Sequence, residues 1–223
     1  MNWTDKLLNW YYQNKRDLPW RETKDPYFIW ISEIILQQTR IRQGIPYYEK
    51  FIKKYPNLNL LAKTKEEELL KLWQGLGYYS RARNLHFTSK LIIKDYNGVF
   101  PSSYGELINL KGIGDYTASA IASISFKLPI AAIDGNVYRF FSRYFGITKS
   151  IDKSKSLKYF KDKSYKLMDK KNPGDFNQAL MDYGSIICKP RNPNCKKCLF
   201  KNNCYAHNNN KIYDFPVRNN INR

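Results

Sequence analysis

The chain reads as all-α. Three observations predict this: apolar residues recur at helical spacing along most of its length, no run alternates convincingly as a strand, and cap residues stand ahead of the apolar blocks. Thr4 is placed to cap a first helix through about Asn14, and Asp25-Pro26 supplies a cap and a first-turn proline for a second, running to about Thr39. A helix near 46–55 follows, and Thr64 with Glu67 forms a capping box ahead of LLKLW. Further helices are expected near 80–96, 103–109, 115–126, 135–146, 155–169 and 175–187. The tail after Cys204 is polar and Asn-rich and is expected to be extended. No internal repeat recurs at a fixed period.

With 223 residues, 43% of them apolar and 16% aromatic, the chain can bury a core in one large domain or two smaller ones. Its formal charge of +19, from 38 basic against 19 acidic residues, points to an anionic polymer, with nucleic acid the leading candidate. The plainer alternative is a set of solvated lysine faces, in part a product of AT-rich codon usage. The opening MNWTDKLLNWYYQ has no basic segment followed by an apolar run, which predicts no secretory signal and a reducing, cytoplasmic compartment. The longest apolar windows, around YFIWISEIIL and IASISFKLPIAAI, are interrupted by polar residues, so no membrane span is expected.

All four cysteines, Cys188, Cys195, Cys198 and Cys204, fall in one C-x6-C-x2-C-x5-C segment. Four soft thiolates so close together suit one metal centre. Only one pair has the short knuckle that structural zinc sites usually use twice, which favours an iron-sulfur cluster over a zinc ribbon or two disulfides.

Three further features carry chemistry. LKGIGDYTA (110–118) reads as a helix, a turn with Gly112 and Gly114, and a second helix from near Asp115, whose exposed amides can meet a phosphate or a bridging cation. The helix after Pro26 is apolar on nearly every face yet carries Glu33 in its middle; a buried carboxyl group tends to keep its proton, making Glu33 a candidate general acid. Gln37 lies one turn on and shares that face. Asp134 follows the apolar run LPIAAI and is placed to cap a helix from Gly135; held by helix amides, it is expected to stay ionised. A protonated and an ionised carboxyl group are what cleavage of an N-glycosidic bond needs, one to protonate the leaving base and one to support the sugar cation.

The chain resembles the helix-hairpin-helix DNA glycosylases that carry an iron-sulfur loop, and within them the MutY-type adenine glycosylases more than endonuclease III. The matching pieces are LPWR (18–21), WISEIILQQTRI (30–41), LWQGLGYYSRARNL (72–85), LKGIGDYTASAIAS (110–123), IDGNVYRFFSRYFGI (133–147), FNQALMDYGSIIC (176–188) and the cysteine loop. The resemblance covers residues from about 3 to 205. It implies a two-domain fold, with a six-helix domain over 20–130 carrying the hairpin and a cluster-bearing domain from 1–19 and 131–205, followed by the tail at 206–223. DNA is expected to lie across a cleft between the two, with Glu33 on one wall and Asp134 on the other.

By the same resemblance, Glu33 protonates adenine and Asp134 stabilises the sugar cation. Gln37 and Tyr78 wedge into the duplex, with Gln38 beside them on the DNA. Trp20, Arg21, Leu36 and Gln178 line the extruded-base pocket, and Asn136 sits beside the aspartate. Endonuclease III relatives carry at position 116 a lysine that attacks the sugar; Tyr116 has no amine, so a monofunctional glycosylase is expected. Lys111, Gly112 and Gly114 in the hairpin, and Lys189, Arg191, Lys196 and Lys197 in the cysteine loop, are expected to grip phosphates. The four cysteines would hold a [4Fe-4S] cluster with a structural role. The implied partner is double-stranded DNA with a mismatched or oxidised pair, and the implied state is a monomer. A further domain usual in this family for recognising 8-oxoguanine is expected to be absent. Competing readings are a thymine glycosylase acting on T·G mismatches and a non-catalytic iron-sulfur DNA-binding protein.

Overall fold

The structure, a computed structural model, describes residues 2–152 and 154–219. Among them run twelve α-helices: α1 Trp3–Asn14, α2 Pro26–Leu36, α3 Ile41–Lys54, α4 Leu58–Lys63, α5 Glu66–Trp73, α6 Ser80–Asp95, α7 Tyr104–Asn109, α8 Asp115–Ser125, α9 Gly135–Phe145, α10 Ser154–Leu167, α11 Pro173–Ile186 and α12 Tyr205–Asn208. No strand occurs among the described residues, and no helix among them is long and apolar enough to cross a membrane.

The chain divides into two compact units, residues 17–126 and residues 1–16 with 127–223. The first holds α2 to α8. Asp25 caps α2 by accepting from the Tyr27 amide at 2.8 Å, and Pro26 takes the first helical position, where its missing N–H is not needed. Because α2 is apolar nearly all round, it can only be stable inside other helices, and it packs on both α3 and α8. Its buried Trp30, Ile31 and Ile35 join Tyr48 and Phe51 of α3, Leu61, Trp73 and Ile121 in the core of this unit.

The second unit closes the chain's start against its later half. α1 packs on α11, which packs on α9, and their inward faces supply Leu7, Tyr11, Phe140, Phe141, Phe176, Leu180 and Tyr183 to one core. Trp3 stacks on Phe200 with ring centroids 4.6 Å apart. Asp182 is fully buried, and Arg16 forks onto its carboxylate, so the charge is removed from water with its counter-ion attached.

Several expected boundaries move. Asn2, with Asp5 in a reciprocal capping box, starts α1; Thr4 instead donates its hydroxyl to the Leu167 carbonyl. Thr64 ends α4 rather than capping α5, which has no side-chain cap, and its hydroxyl meets that of Tyr55 at 3.1 Å. α2 stops at Leu36, short of Thr39, because Gln37 leaves the helical region (ψ 114°) and Gln38 after it adopts a left-handed backbone (φ 57°). α3 begins at Ile41, with Pro46 inside it. The tail is corrected most: residues 205–208 form α12, residues 212–214 form a 3-10 turn, Phe215 is buried, and the Ile151 amide donates to the Val217 carbonyl. An aromatic residue with a core to enter outweighs the polar composition around it. Residues 220–223 of the expected tail lie outside the described residues.

Candidate active site

In the unit 17–126, Glu33 sits on the last two turns of α2 between buried Ser32 and buried Ile34 and Ile35. It is half-buried, where the sequence suggested full burial, because its face of the helix reaches the surface while its neighbours do not. Leu36 and Gln37 follow at the helix end, both half-buried, and Gln38 is exposed. Trp20 is buried edge-on to Tyr48, with centroids 5.2 Å apart, and Arg21 is half-buried at the end of the same 3-10 turn.

Tyr78 is 62% exposed at the end of a turn in which Gly75, Gly77 and Tyr78 all have positive φ. Gly77 and Gly75 take that region without steric cost, whereas a tyrosine there must be held. The residue that holds it is Arg81, to which sequence reasoning assigned no role; its buried guanidinium reaches the turn after α2 and the turn before α6. The signal that could have found it is a lone arginine at a position of α6 that faces the core, two residues before Arg83, which stays exposed.

The hairpin forms as expected, with α7 and α8 joined through Gly112 and Gly114. Gly112 has φ 82°, and a Cβ there would fall 2.7 Å from the Asn84 Cβ, so this position requires glycine twice over. Gly114 caps α8 without a side chain and is exposed, leaving the first-turn amides unshielded by it. Lys111 is exposed and lies over the Phe87 ring at 4.7 Å, while Thr88 donates to the Lys111 carbonyl at 2.7 Å, so α6 backs the hairpin. Tyr116 is half-buried on the first turn of α8.

In the unit formed by residues 1–16 and 127–223, Asp134 caps α9 as predicted. Its Oδ1 accepts from the Asn136 and Val137 amides at 2.9 and 2.8 Å, and its Oδ2 accepts from the Asn136 side chain at 2.6 Å. Burial is the largest influence on this carboxyl and pushes its pKa up, opposed by those hydrogen bonds and by the Arg139 charge. Desolvation and the helix amides thus pull this carboxyl in opposite directions, with desolvation the larger influence. The residue as a whole still touches solvent, so it is the carboxyl group that is enclosed.

Three residues with no assigned role hold the Asp134 segment and the cysteine loop. Asn177, fully buried on α11, donates to the Ile130 carbonyl at 2.8 Å and accepts from the Ala132 amide at 3.2 Å, pinning the segment that leads to Asp134. Arg139 donates to Asn136 Oδ1 at 2.9 Å, to the Gly184 carbonyl at 2.7 Å and to the Cys188 carbonyl at 2.7 Å. Arg143, one turn further, donates to the carbonyls of Lys189 and Ile212 at 2.6 and 2.9 Å. Both arginines lie on one face of α9, a spacing that was legible in YRFFSRYF. Gln178 is buried on α11.

The four cysteines line one pocket, walled by Phe140, Tyr144, Phe200 and Ile212. Burial pushes the thiols of Cys188, Cys195 and Cys204 up, and neighbouring cysteines add to this for each of them. Arg143 opposes the shift at Cys188, its Nη1 lying 3.5 Å from the sulfur, and the Ala206 and His207 amides oppose it at Cys204. The Tyr183 hydroxyl donates to Cys198 Sγ at 3.3 Å. Among the described residues no group of three or more His, Cys, Asp or Glu has the spacing of a single bound ion. Lys189, Arg191, Lys196 and Lys197 are exposed on the loop.

Comparison with known proteins places these features. The chain is 42% identical over 219 residues to an adenine DNA glycosylase of Buchnera aphidicola subsp. Baizongia pistaciae, covering 96% of this chain and 61% of that protein. The chain thus spans about three fifths of the length of the relative. A solved thermostable thymine-DNA glycosylase is 32% identical with a TM-score of 0.85, covering 92% of this chain and 95% of that one. A trapped endonuclease III–DNA covalent intermediate, 22% identical with a TM-score of 0.79 and covering 93% of this chain and 94% of that one, shares the fold. The model of the HhH-GPD superfamily base excision DNA repair proteins matches residues 31–164, which hold Glu33, the hairpin and Asp134, and the chain belongs to that family.

Proposed function

We propose that the chain is a monofunctional DNA glycosylase that hydrolyses the N-glycosidic bond of adenine mispaired with 8-oxoguanine or guanine. The observation that carries the reaction type is Asp134: a carboxyl group enclosed by protein yet gripped by two backbone amides and an asparagine is a costly arrangement that a simple cap does not need. Adenine as the leaving base rests on the 42% identity to an enzyme of that name.

In this reading Glu33 donates a proton to the adenine ring, the bond from the sugar carbon to nitrogen breaks, and the electron pair leaves with the base. The ionised Asp134 carboxylate supports the positive charge left on the sugar, and water adds there, its surplus proton passing to the Glu33 carboxylate, so that an abasic site remains and the acid is restored. Asn136 orients the carboxylate, and Arg139 orients Asn136. Trp20, Arg21, Leu36 and Gln178 shape the base pocket. Gln37 and Tyr78 enter the duplex, Gln38 contacts the DNA beside them, and Lys111, Gly112, Gly114, Lys189 and Arg191 hold its phosphates. Tyr116 offers no amine, so no Schiff base forms. The enzyme acts as a cytoplasmic monomer on double-stranded DNA.

The donor set fits a [4Fe-4S] cluster: four soft thiols on one pocket, apolar walls, and N–H and O–H donors aimed at three of the sulfurs. Cys188, Cys195, Cys198 and Cys204 would hold it, and it would supply a cross-link that stiffens the loop carrying Lys189 and Arg191. Anaerobically purified protein is expected to contain iron and acid-labile sulfide in equal amounts. Cys198→Ser is expected to lose both and to lower Tm. A protein holding zinc instead would exclude the cluster.

The substrate test is incubation with duplexes carrying A·8-oxoguanine, A·G, T·G or a damaged pyrimidine, with and without alkali. Adenine release, with strand breaks only after alkali and no borohydride-trapped adduct, is the expected result. The 32% identity to a thymine-DNA glycosylase favours a second reading, and release of thymine from T·G with adenine untouched would establish it.

A further inference from the structure

We propose that Arg81 is the positioning residue of the duplex wedge, a single guanidinium that fixes Gln37 and Tyr78 relative to each other before DNA arrives. The proposal rests on the reading that these two side chains enter the duplex.

Arg81 lies on the first turn of α6 with only 8% of its surface exposed. Its Nη1 donates to the carbonyls of Ile34 and Ile35, each at 3.0 Å, and to that of Gln37. Its Nη2 donates to the carbonyls of Leu76 and Gly77 at 3.0 and 3.2 Å. A buried cation is ordinarily matched by a carboxylate. Here the compensation comes from carbonyl dipoles of two segments, one at the end of α2 and one in the turn before α6. The Ile34 and Ile35 carbonyls belong to the last turn of α2, where the regular i to i+4 bonding of the helix ends; the Ile34 carbonyl also accepts from the Gln37 amide at 3.4 Å. The guanidinium also lies 5.3 Å from the Trp73 ring centroid and 5.7 Å from that of Tyr78.

Both segments are conformationally demanding. Gln38 (φ 57°) and Tyr78 (φ 46°) hold left-handed backbones that side chains of their kind rarely adopt. Each follows within one residue of a carbonyl that Arg81 binds. Left alone, either turn would relax, and the wedge would then have to be ordered while it entered the base stack. Holding both turns from one planar fork places that ordering cost in the folding of the protein instead. A lysine cannot substitute, since its single point charge reaches one segment at a time. An arginine that merely capped α2 would have no reason to bind Leu76 and Gly77.

The test uses the full chain as wild type, Arg81→Lys, the Gln37→Ala/Tyr78→Ala pair, and all three substitutions combined. Each is assayed for base extrusion, by fluorescence of 2-aminopurine in the target position, and for affinity to undamaged duplex. Arg81→Lys is expected to lower the extrusion rate about tenfold with duplex affinity changed less than about twofold. In the background already lacking the wedge side chains it is expected to add less than about twofold, because contacts in one unit are not additive. An equal loss in both backgrounds would reduce Arg81 to a structural residue and overturn the proposal. If removing the wedge side chains leaves extrusion unchanged, the wedge reading itself fails and takes the proposal with it. Extrusion without base release from any duplex would count against the glycosylase reading alone. Should Arg81→Lys fail to fold, hydrogen exchange on the unaltered protein decides: amides of 37–39 and 76–79 opening at one common rate support the clamp, and separate rates overturn it.

Discussion

Glu33→Gln is expected to reduce single-turnover release of adenine by about 10²–10⁴-fold while leaving duplex affinity near that of the wild type. The substitution keeps the shape and hydrogen-bonding reach of the side chain but removes the only proton it could donate to a leaving base. Glu33 is half-buried on α2, with Ser32, Ile34 and Ile35 carrying the packing around it, so stability should change by less than about 1 kcal/mol. Binding by gel shift and release by denaturing electrophoresis after alkali separate the two effects. Equal release from the variant would remove Glu33 from the chemistry. A wild-type protein that binds mismatched duplex but releases no base would instead support the non-catalytic reading.

Asp134→Asn should separate capping from catalysis. Asparagine is as good a cap as aspartate, and its side-chain oxygen can still accept from the Val137 amide. What it removes is the charge: release should fall by about 10²–10³-fold, the scale on which a group that supports a developing charge contributes. Thermal stability at neutral pH should not fall. Burial raises the folded-state pKa of Asp134, so the folded protein binds this proton more tightly than the unfolded chain does. Its contribution to stability is therefore lost as pH rises from the ordinary carboxyl value of about 4 through the raised folded value, and the asparagine variant should lack that slope. For the same reason the acid limb of wild-type release should lie above the ordinary carboxyl range. Asp134→Ala, which loses the cap as well, should cost about 1 kcal/mol of stability. A variant asparagine enzyme as active as the wild type would leave Asp134 a cap and nothing more.

The all-α class was legible because helical period, caps and glycine turns are local. Asp25-Pro26 opens α2, Gly112 and Gly114 make the hairpin, and Asp134 opens α9, each where its own neighbours dictate. Glu33 stood out because a carboxyl among apolar neighbours is conspicuous in any window. The errors were also local in origin. Thr4 and Thr64 are good caps in isolation, but each hydroxyl found a distant partner, Leu167 and Tyr55. The Asn-rich tail looked unfolded by composition, yet Phe215 is buried and the Ile212 carbonyl is taken by Arg143.

The sequence by itself determined most of the helices, the hairpin and the four clustered thiols, and it marked Glu33 and Asp134 as candidates. All depend on residue types within a turn or two of one another. Only the tertiary structure decided how those groups are held and charged. Arg81, Arg139, Arg143 and Asn177 join segments far apart in the chain through backbone carbonyls, and a carbonyl leaves no mark in a sequence. The same holds for Asp134: its cap was visible from three residues, but the desolvation that raises its pKa comes from everything packed around it.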